Sequence, residues 1–422
     1  MIFKSKISIL LLIIAATILM ASSCEGKESE IDLENLPKPK NIELRSSEIE
    51  MVKSDQSFAF NFFANVYAEE SEDGDNSFMV SPLSLSMALA MTMNGAEGDT
   101  KSVIKESLKQ NEFSEDDINS YYKKMREALL STDPSTKLSI ANSIWTNKVV
   151  AIKNDFISRN REYFNSSVEA VDFGDVKTKD KINNWASVNT NGLIENVIES
   201  TNIDDLMYLL NAIYFKGIWI SEFSKNKTEK KMFTHEDGST VNVDMMNQTS
   251  KFKYKNDDLL QIVELPYGNG AFSMMVLLPQ EDKKIGDVID ALNSSDYWVE
   301  LESGLRVNEV ELSLPKFKTE YSKKLNEVLK KMGMGLAFTD DADFSGMSDI
   351  SAKLSFVKQD TYIAVDEVGT EAAAVTTVGV VMTSMPIEPQ KVIFNANHPF
   401  VYLIKENSTG SILFIGTVKS FN

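Results

Sequence analysis

The chain has 422 residues, 43% hydrophobic and 25% charged, enough to bury a large core and, by length, to form about one to three domains. Its 62 acidic residues outnumber 43 basic ones, and the formal net charge of −19 argues against nucleic acid or an anionic membrane surface as partners of the bulk surface. A single cysteine excludes an internal disulfide framework and a Cys/His catalytic pair in the mature domain. No break in composition after residue 50 argues for more than one domain.

Residues 1–23 carry Lys4 and Lys6, no acid, and an apolar run from Ile7 to Met20. That run is short for a retained span and suits a signal-peptide core. Cys24 follows Ala21-Ser22-Ser23, an arrangement that resembles a bacterial lipoprotein processing site, although Ala21 stands where such sites usually carry Leu. The resemblance implies that Cys24 becomes a lipidated first residue, on a protein secreted across the inner membrane and anchored in the periplasm or at the cell surface. The alternative is a secretory signal cut nearby, with Cys24 incidental. Residues 24–47 are polar, acidic and interrupted by Pro37 and Pro39, which reads as a flexible tether.

The folded domain is expected over residues 48–422, opening where Phe58/Phe62/Val66 and Ala59/Phe63/Tyr67 repeat at helical spacing. Ser81-Pro82 starts a second helix and Gly95 closes it, with Ser84, Ala88 and Ala90 giving it a small-residue face. Residues 137–150 alternate as a strand, and 179–198 read as a helix interrupted at Asn189-Thr190-Asn191-Gly192. Leu206 to Gly217 is a strand too continuously hydrophobic to face water on either side, with Trp219 and Phe223 after it. Glu264 to Pro279 gives two strands around Gly268-Asn269-Gly270, and Leu312 to Phe338 a strand followed by an amphipathic helix.

Asp366 to Pro386 differs from all of these. No charge occurs from Ala372 to Ile387, and Val375, Thr376, Thr377, Val378, Val380, Val381 and Thr383 favour a strand. The flanks, Glu367-Val368-Gly369-Thr370-Glu371 and Pro386-Ile387-Glu388-Pro389, suit an exposed excursion instead. Read at period two, one face carries Thr370, Ala372, Ala374, Thr376, Val378 and Val380, all small or β-branched. A sheet could accept such a strand without overpacking its core.

Glu367-Val368-Gly369-Thr370-Glu371-Ala372-Ala373-Ala374-Val375-Thr376 is similar to the hinge of the reactive-centre loop in inhibitory serpins. The collinear resemblance runs from about Glu48 to Asn422 and includes Asn94 to Thr100, WASVNTNGLI, NAIYFKGIW and Phe394 to Phe400. It implies an α+β serpin fold: a large mixed central β-sheet, smaller sheets, surrounding helices and a reactive-centre loop over about 367–388. It also implies a suicide-substrate inhibitor of serine proteases that forms a covalent 1:1 complex as a monomer, with no cofactor. The same resemblance assigns sheet opening to Ser81, Ser84, Asn211 and Trp219. Gln359 stands where the family usually has His, which puts the strength of the sheet's latch in question. Family spacing from Glu367 places the reactive bond at Thr383–Ser384, with Met382–Thr383 as the alternative. A Thr there, with no Arg or Lys nearby, suits elastase-like or subtilisin-like proteases better than trypsin-like ones.

An enzyme and a non-inhibitory binding protein are the competing classes. Only His235 and His398 could serve as a catalytic base, and neither lies in a G-x-S-x-G, H-E-x-x-H or comparable motif. Asp340, Asp341 and Asp343 lack calcium-loop spacing, and Glu229 interrupts Lys225, Lys227, Lys230 and Lys231, so neither metal nor polyanion binding is expected. A non-inhibitory serpin acting as a binding protein is the alternative. Such members tend to carry bulky or charged hinge residues, whereas Thr370 and Ala372 to Ala374 are small.

Overall fold

The computed structural model describes residues 36–73, 77–294, 296–370 and 391–421. In chain order, α1 (Ser46–Asp73) is followed by β1 (Phe78–Val80), α2 (Pro82–Met93), α3 (Gly98–Ser107) and α4 (Glu115–Leu129). Then come β2 (Lys137–Asn147), α5 (Asn154–Phe164), β3 (Ser167–Val171), α6 (Val176–Asn189) and β4 (Met207–Ile218). Four strands, β5 (Glu229–Thr234), β6 (Thr240–Asn256), β7 (Leu260–Tyr267) and β8 (Phe272–Pro279), lead to α7 (Ile285–Leu292) and α8 (Tyr297–Gly304). The chain continues through β9 (Arg306–Pro315), β10 (Phe317–Lys324), α9 (Asn326–Leu329), β11 (Phe356–Val365) and β12 (Gly369–Thr370). It closes with β13 (Val392–Asn395), β14 (Phe400–Glu406) and β15 (Ile412–Val418).

β4 organises the packing. It is buried at nearly every position because each face meets a different cluster. Leu209, Ile213 and Phe215 join the main core with α1 and α2, while Tyr208 and Leu210 pack with Trp145, Phe173, Ile182 and Ala186 beneath α6. Its sheet is mixed, with strand order β10-β11-β12-β4-β2-β3. The remaining strands join into one nine-stranded sheet rather than separate small ones, because the 17-residue β6 pairs with β5, β7 and β9. Every residue of α2 is buried, as expected of a helix apolar on all sides.

Two stretches depart from expectation. The tether was expected to run to residue 47, yet Ile42 and Leu44 pack on the core and the helix begins at Ser46. Asn269 Nδ2 donates to Pro37 O at 3.1 Å, and Ile42 N to Ser408 Oγ at 2.9 Å, so this segment follows the body. The helix expected after Leu312 begins only at Asn326, is regular over Asn326–Leu329 and continues as irregular helical turns to Phe338, and it is preceded by a full strand, β10. Phe317 and Thr319 point inward while Lys318 and Glu320 face out, a period-two pattern that outweighs helix propensity there. Beyond α9, Gly333 at φ 102° interrupts regular helix.

Candidate functional site at the parted sheet

β4 and β11 pair in parallel over Tyr208–Ala212 and Phe356–Asp360. The last rows of this closed portion carry three amides in register, Asn142 on β2, Asn211 on β4 and Gln359 on β11. Asn211 Oδ1 accepts from Gln359 Nε2 at 2.7 Å, and Asn211 Nδ2 donates to Asn142 Oδ1 at 2.6 Å and to Ser84 Oγ. Gln359 also bridges the start of α2, accepting from Ser81 N at 2.8 Å and donating to Ser81 O at 2.9 Å. Ser81 Oγ donates to Leu413 O at 2.6 Å. All five side chains are buried, so the network ties α2, three strands of the central sheet and β15 together in a region where unmade hydrogen bonds are costly. The amide at position 359, where the family usually has His, thus makes three hydrogen bonds in this network.

Past Asp360 and Ala212 the two strands take a third between them. After β11 the chain reverses at Asp366, whose Oδ1 accepts from Val368 N at 2.9 Å and Gly369 N at 3.3 Å. Gly369 and Thr370 then run antiparallel to both neighbours, Gly369 opposite Ile218 and Thr370 opposite Gly217 and Val365. Gly369 is required by close approach, since a Cβ there would lie 2.0 Å from Gly217 O. Thr370 is buried, with Oγ1 2.6 Å from the Tyr267 hydroxyl. The first residues of the segment read from the sequence as a hinge are therefore seated in the sheet.

Trp219 locks the reversal. Its backbone N donates to Val368 O at 2.8 Å, its indole N–H to Asp366 O at 3.0 Å, and its ring stacks on Tyr267 at 4.3 Å. Glu367 is buried, with Lys316 Nζ at 2.9 Å and Thr228 Oγ1 at 2.8 Å. Burial pushes its carboxyl up, but the hydrogen bonds from Lys316, its own backbone and Thr228 outweigh burial and hold it below the ordinary value.

Ser81, Ser84, Asn211 and Gln359 thus form one cluster, and Trp219, Glu367, Gly369 and Thr370 a second at the other end of the parting. Glu371, Ala372, Ala373, Ala374, Thr376, Met382, Thr383, Ser384 and Cys24 lie outside the described residues. Sequence reading missed Asn142, Thr228, Tyr267 and Lys316. A polar amide in the apolar strand Leu138 to Trp145 was the available signal for Asn142; nothing local marked Tyr267 or Lys316. Elsewhere, Lys230 pairs with Asp244 and Lys231 with Glu229 at the surface, and His235 Nε2 is occupied by the Phe421 amide. Among the described residues, no helix is long and apolar enough to cross a membrane, and no group of three His, Cys, Asp or Glu could hold a metal ion.

Comparison with known proteins agrees with this architecture. The family described as serpin (serine protease inhibitor) matches residues 53–420. Human serpin B11 is 35% identical over 373 residues, covering 82% of this chain and 94% of the relative. A serpin-like protein of Thermococcus kodakarensis is 33% identical over 373 residues, covering 87% and 84%. Among solved structures, the thermophilic serpin tengpin in its native state superposes with a TM-score of 0.81 at 32% identity, covering 91% of this chain and 97% of that one. Human thyroxine-binding globulin gives 0.81 at 27% identity, covering 89% and 99%. A family match over nearly the whole body, together with a central sheet parted by Gly369–Thr370, leads to one conclusion: the chain belongs to the serpin family.

Proposed function

We propose that this serpin inhibits serine proteases as a suicide substrate, its loop being cleaved and then drawn into the central sheet while the acyl-enzyme is trapped. The observation that carries this reading is the placement of Gly369–Thr370 between β4 and β11, antiparallel to both. Insertion in that same register would bring Ala372 opposite Phe215 and Ile363, and Ala374 opposite Ile213 and Thr361. Val375 would then meet the closed Ala212–Asp360 row, and Thr376 would enter between Asn211 and Gln359. Insertion past Ala374 therefore requires the amide latch to part. The residues sharing Thr370's inward face are Ala372, Ala374, Thr376, Val378 and Val380, small enough to be buried without clash. From Thr370 to Thr383, at about 3.3 Å per residue, a bound protease travels about 45 Å.

The target class follows from Thr383 beside Ser384, or Met382 beside Thr383: a shallow apolar pocket, as in elastase-like or subtilisin-like enzymes. The inhibitor acts as a monomer, forming a covalent 1:1 complex. Cys24 anchors it through lipid, and Cys24→Ala is expected to release it from membranes; unchanged sedimentation with membranes argues against the anchor. The test of inhibition is incubation with elastase and with subtilisin. A denaturant-resistant complex is expected from the native chain, and cleavage without complex from Thr370→Arg, because an unpaired charge would have to enter the sheet core. Cleavage without complex from the native chain overturns inhibition and leaves the binding-protein reading.

A further inference from the structure

Asp55, on α1, is buried, and among the described residues no Lys or Arg pairs with it. Its Oδ2 accepts from the Tyr121 hydroxyl at 2.7 Å, and its Oδ1 from the Tyr122 hydroxyl at 2.8 Å and Gln110 Nε2 at 3.1 Å. Gln110 Nε2 also donates to the Tyr122 hydroxyl at 2.8 Å. These partners are neutral and fully buried: the tyrosines lie on α4, and Gln110 lies in the connection between α3 and α4. α2 faces the cluster with Ser86, and α5 with the ring of Phe164 against Tyr122. Glu48, on α1's first turn, is the other carboxylate in reach of Tyr121. The cations beside Glu48, Arg45 and Lys124, are paired with Glu48 itself.

A carboxylate removed from water with only neutral donors around it favours its protonated form. A proton on Asp55 removes the uncompensated buried charge. We propose that the folded chain binds a proton at Asp55 and that this proton fastens α4 to α1, making the attachment of α4 responsive to pH. Burial raises the group from 3.8 to about 7, against the pull of Tyr121, Tyr122 and Gln110. The unfolded chain would release the proton near pH 4, so the native state takes one up between pH 4 and 7. The resulting stabilisation is complete below the lower value and is lost as pH rises through the upper one. α4 packs on α1, α2 and α5, and Ser81 caps the start of α2, so loosening α4 reaches the helix that holds the sheet's latch.

The test is amide hydrogen exchange of residues 115–129 in the full chain at pH 6 and pH 8, corrected for intrinsic exchange. A midpoint near 7 gives about a tenfold loss of protection across that interval. Asp55→Asn, neutral and of the same shape, is expected to abolish the difference. An infrared band of a protonated carboxylic acid is expected to disappear near pH 7 in the native chain and to be missing in Asp55→Asn. Tyr121→Phe, which removes a donor to the carboxylate, is expected to move the midpoint upward. The same pH dependence in the native chain and Asp55→Asn, an Asp55 already ionised at pH 6, or an unmoved midpoint in Tyr121→Phe would each overturn the proposal.

Discussion

The Tyr267 hydroxyl lies 2.6 Å from Thr370 Oγ1, and the same ring stacks at 4.3 Å on Trp219, which holds the backbone oxygens of Asp366 and Val368. One aromatic pair thus fixes both the reversal leading into the hinge and the first side chain seated in the sheet. Tyr267→Phe keeps the stack and leaves Thr370 Oγ1 without that partner. A lost hydrogen bond of about 1 kcal/mol is expected to raise the population of unseated hinge about fivefold. Hydrogen exchange over residues 366–370 measures it, and unchanged protection would show that the ladder bonds to Gly217 and Ile218 alone hold the hinge.

The Glu367–Lys316 pair is expected to make the hinge acid-sensitive. The folded carboxyl lies below its ordinary value of 4.5, so its contribution is present above that value and is lost as pH falls through the folded one. Lys316→Gln removes the partner of a buried carboxylate and should cost about 1–2 kcal/mol, a modest figure because Lys316 is partly exposed. Thermal unfolding from pH 6 to pH 3 should show a destabilising acid limb in the native chain and a flatter one in Lys316→Gln. Superimposable curves would remove the pair from the account.

Gln359→Ala is expected to leave Ser81 N, Ser81 O and Asn211 Oδ1 without their partner in a buried site. At about 1–3 kcal/mol for each such group, the latch should weaken by several kcal/mol. The measurable consequence is faster loss of inhibitory activity on heating, with a larger effect on the rate of conversion than on the freshly prepared protein. Equal half-lives for the variant and native chain would mean that the amide row does not govern opening.

The reactive bond is expected between Thr383 and Ser384. Mass spectrometry of the peptide released from a protease complex should find a fragment beginning at Ser384, whereas one beginning at Thr383 moves the bond by one residue. Efficient trapping of trypsin alone would contradict the argument from the missing Arg and Lys.

How much was legible in the chain depends on the range of the interaction concerned. Local pattern determined the buried strand read over Leu206 to Gly217, the hairpin around Gly268–Gly270 and the helix opening at Pro82. Each of these rests on side-chain periodicity or turn chemistry within a few residues. Gly369 stood out in the sequence, but the reason for it, the 2.0 Å approach to Gly217 O, exists only once the hinge lies beside β4. Tertiary structure alone decided that Tyr267 and Lys316, each over fifty residues from the hinge in sequence, are its partners. It also decided that Gln359 completes a network with Ser81 and Asn211, and that Asp55 is buried among neutral donors. Pairing across such separations is fixed by strand register and helix packing, and a side chain's solvent exposure and charge state follow from what that packing leaves beside it.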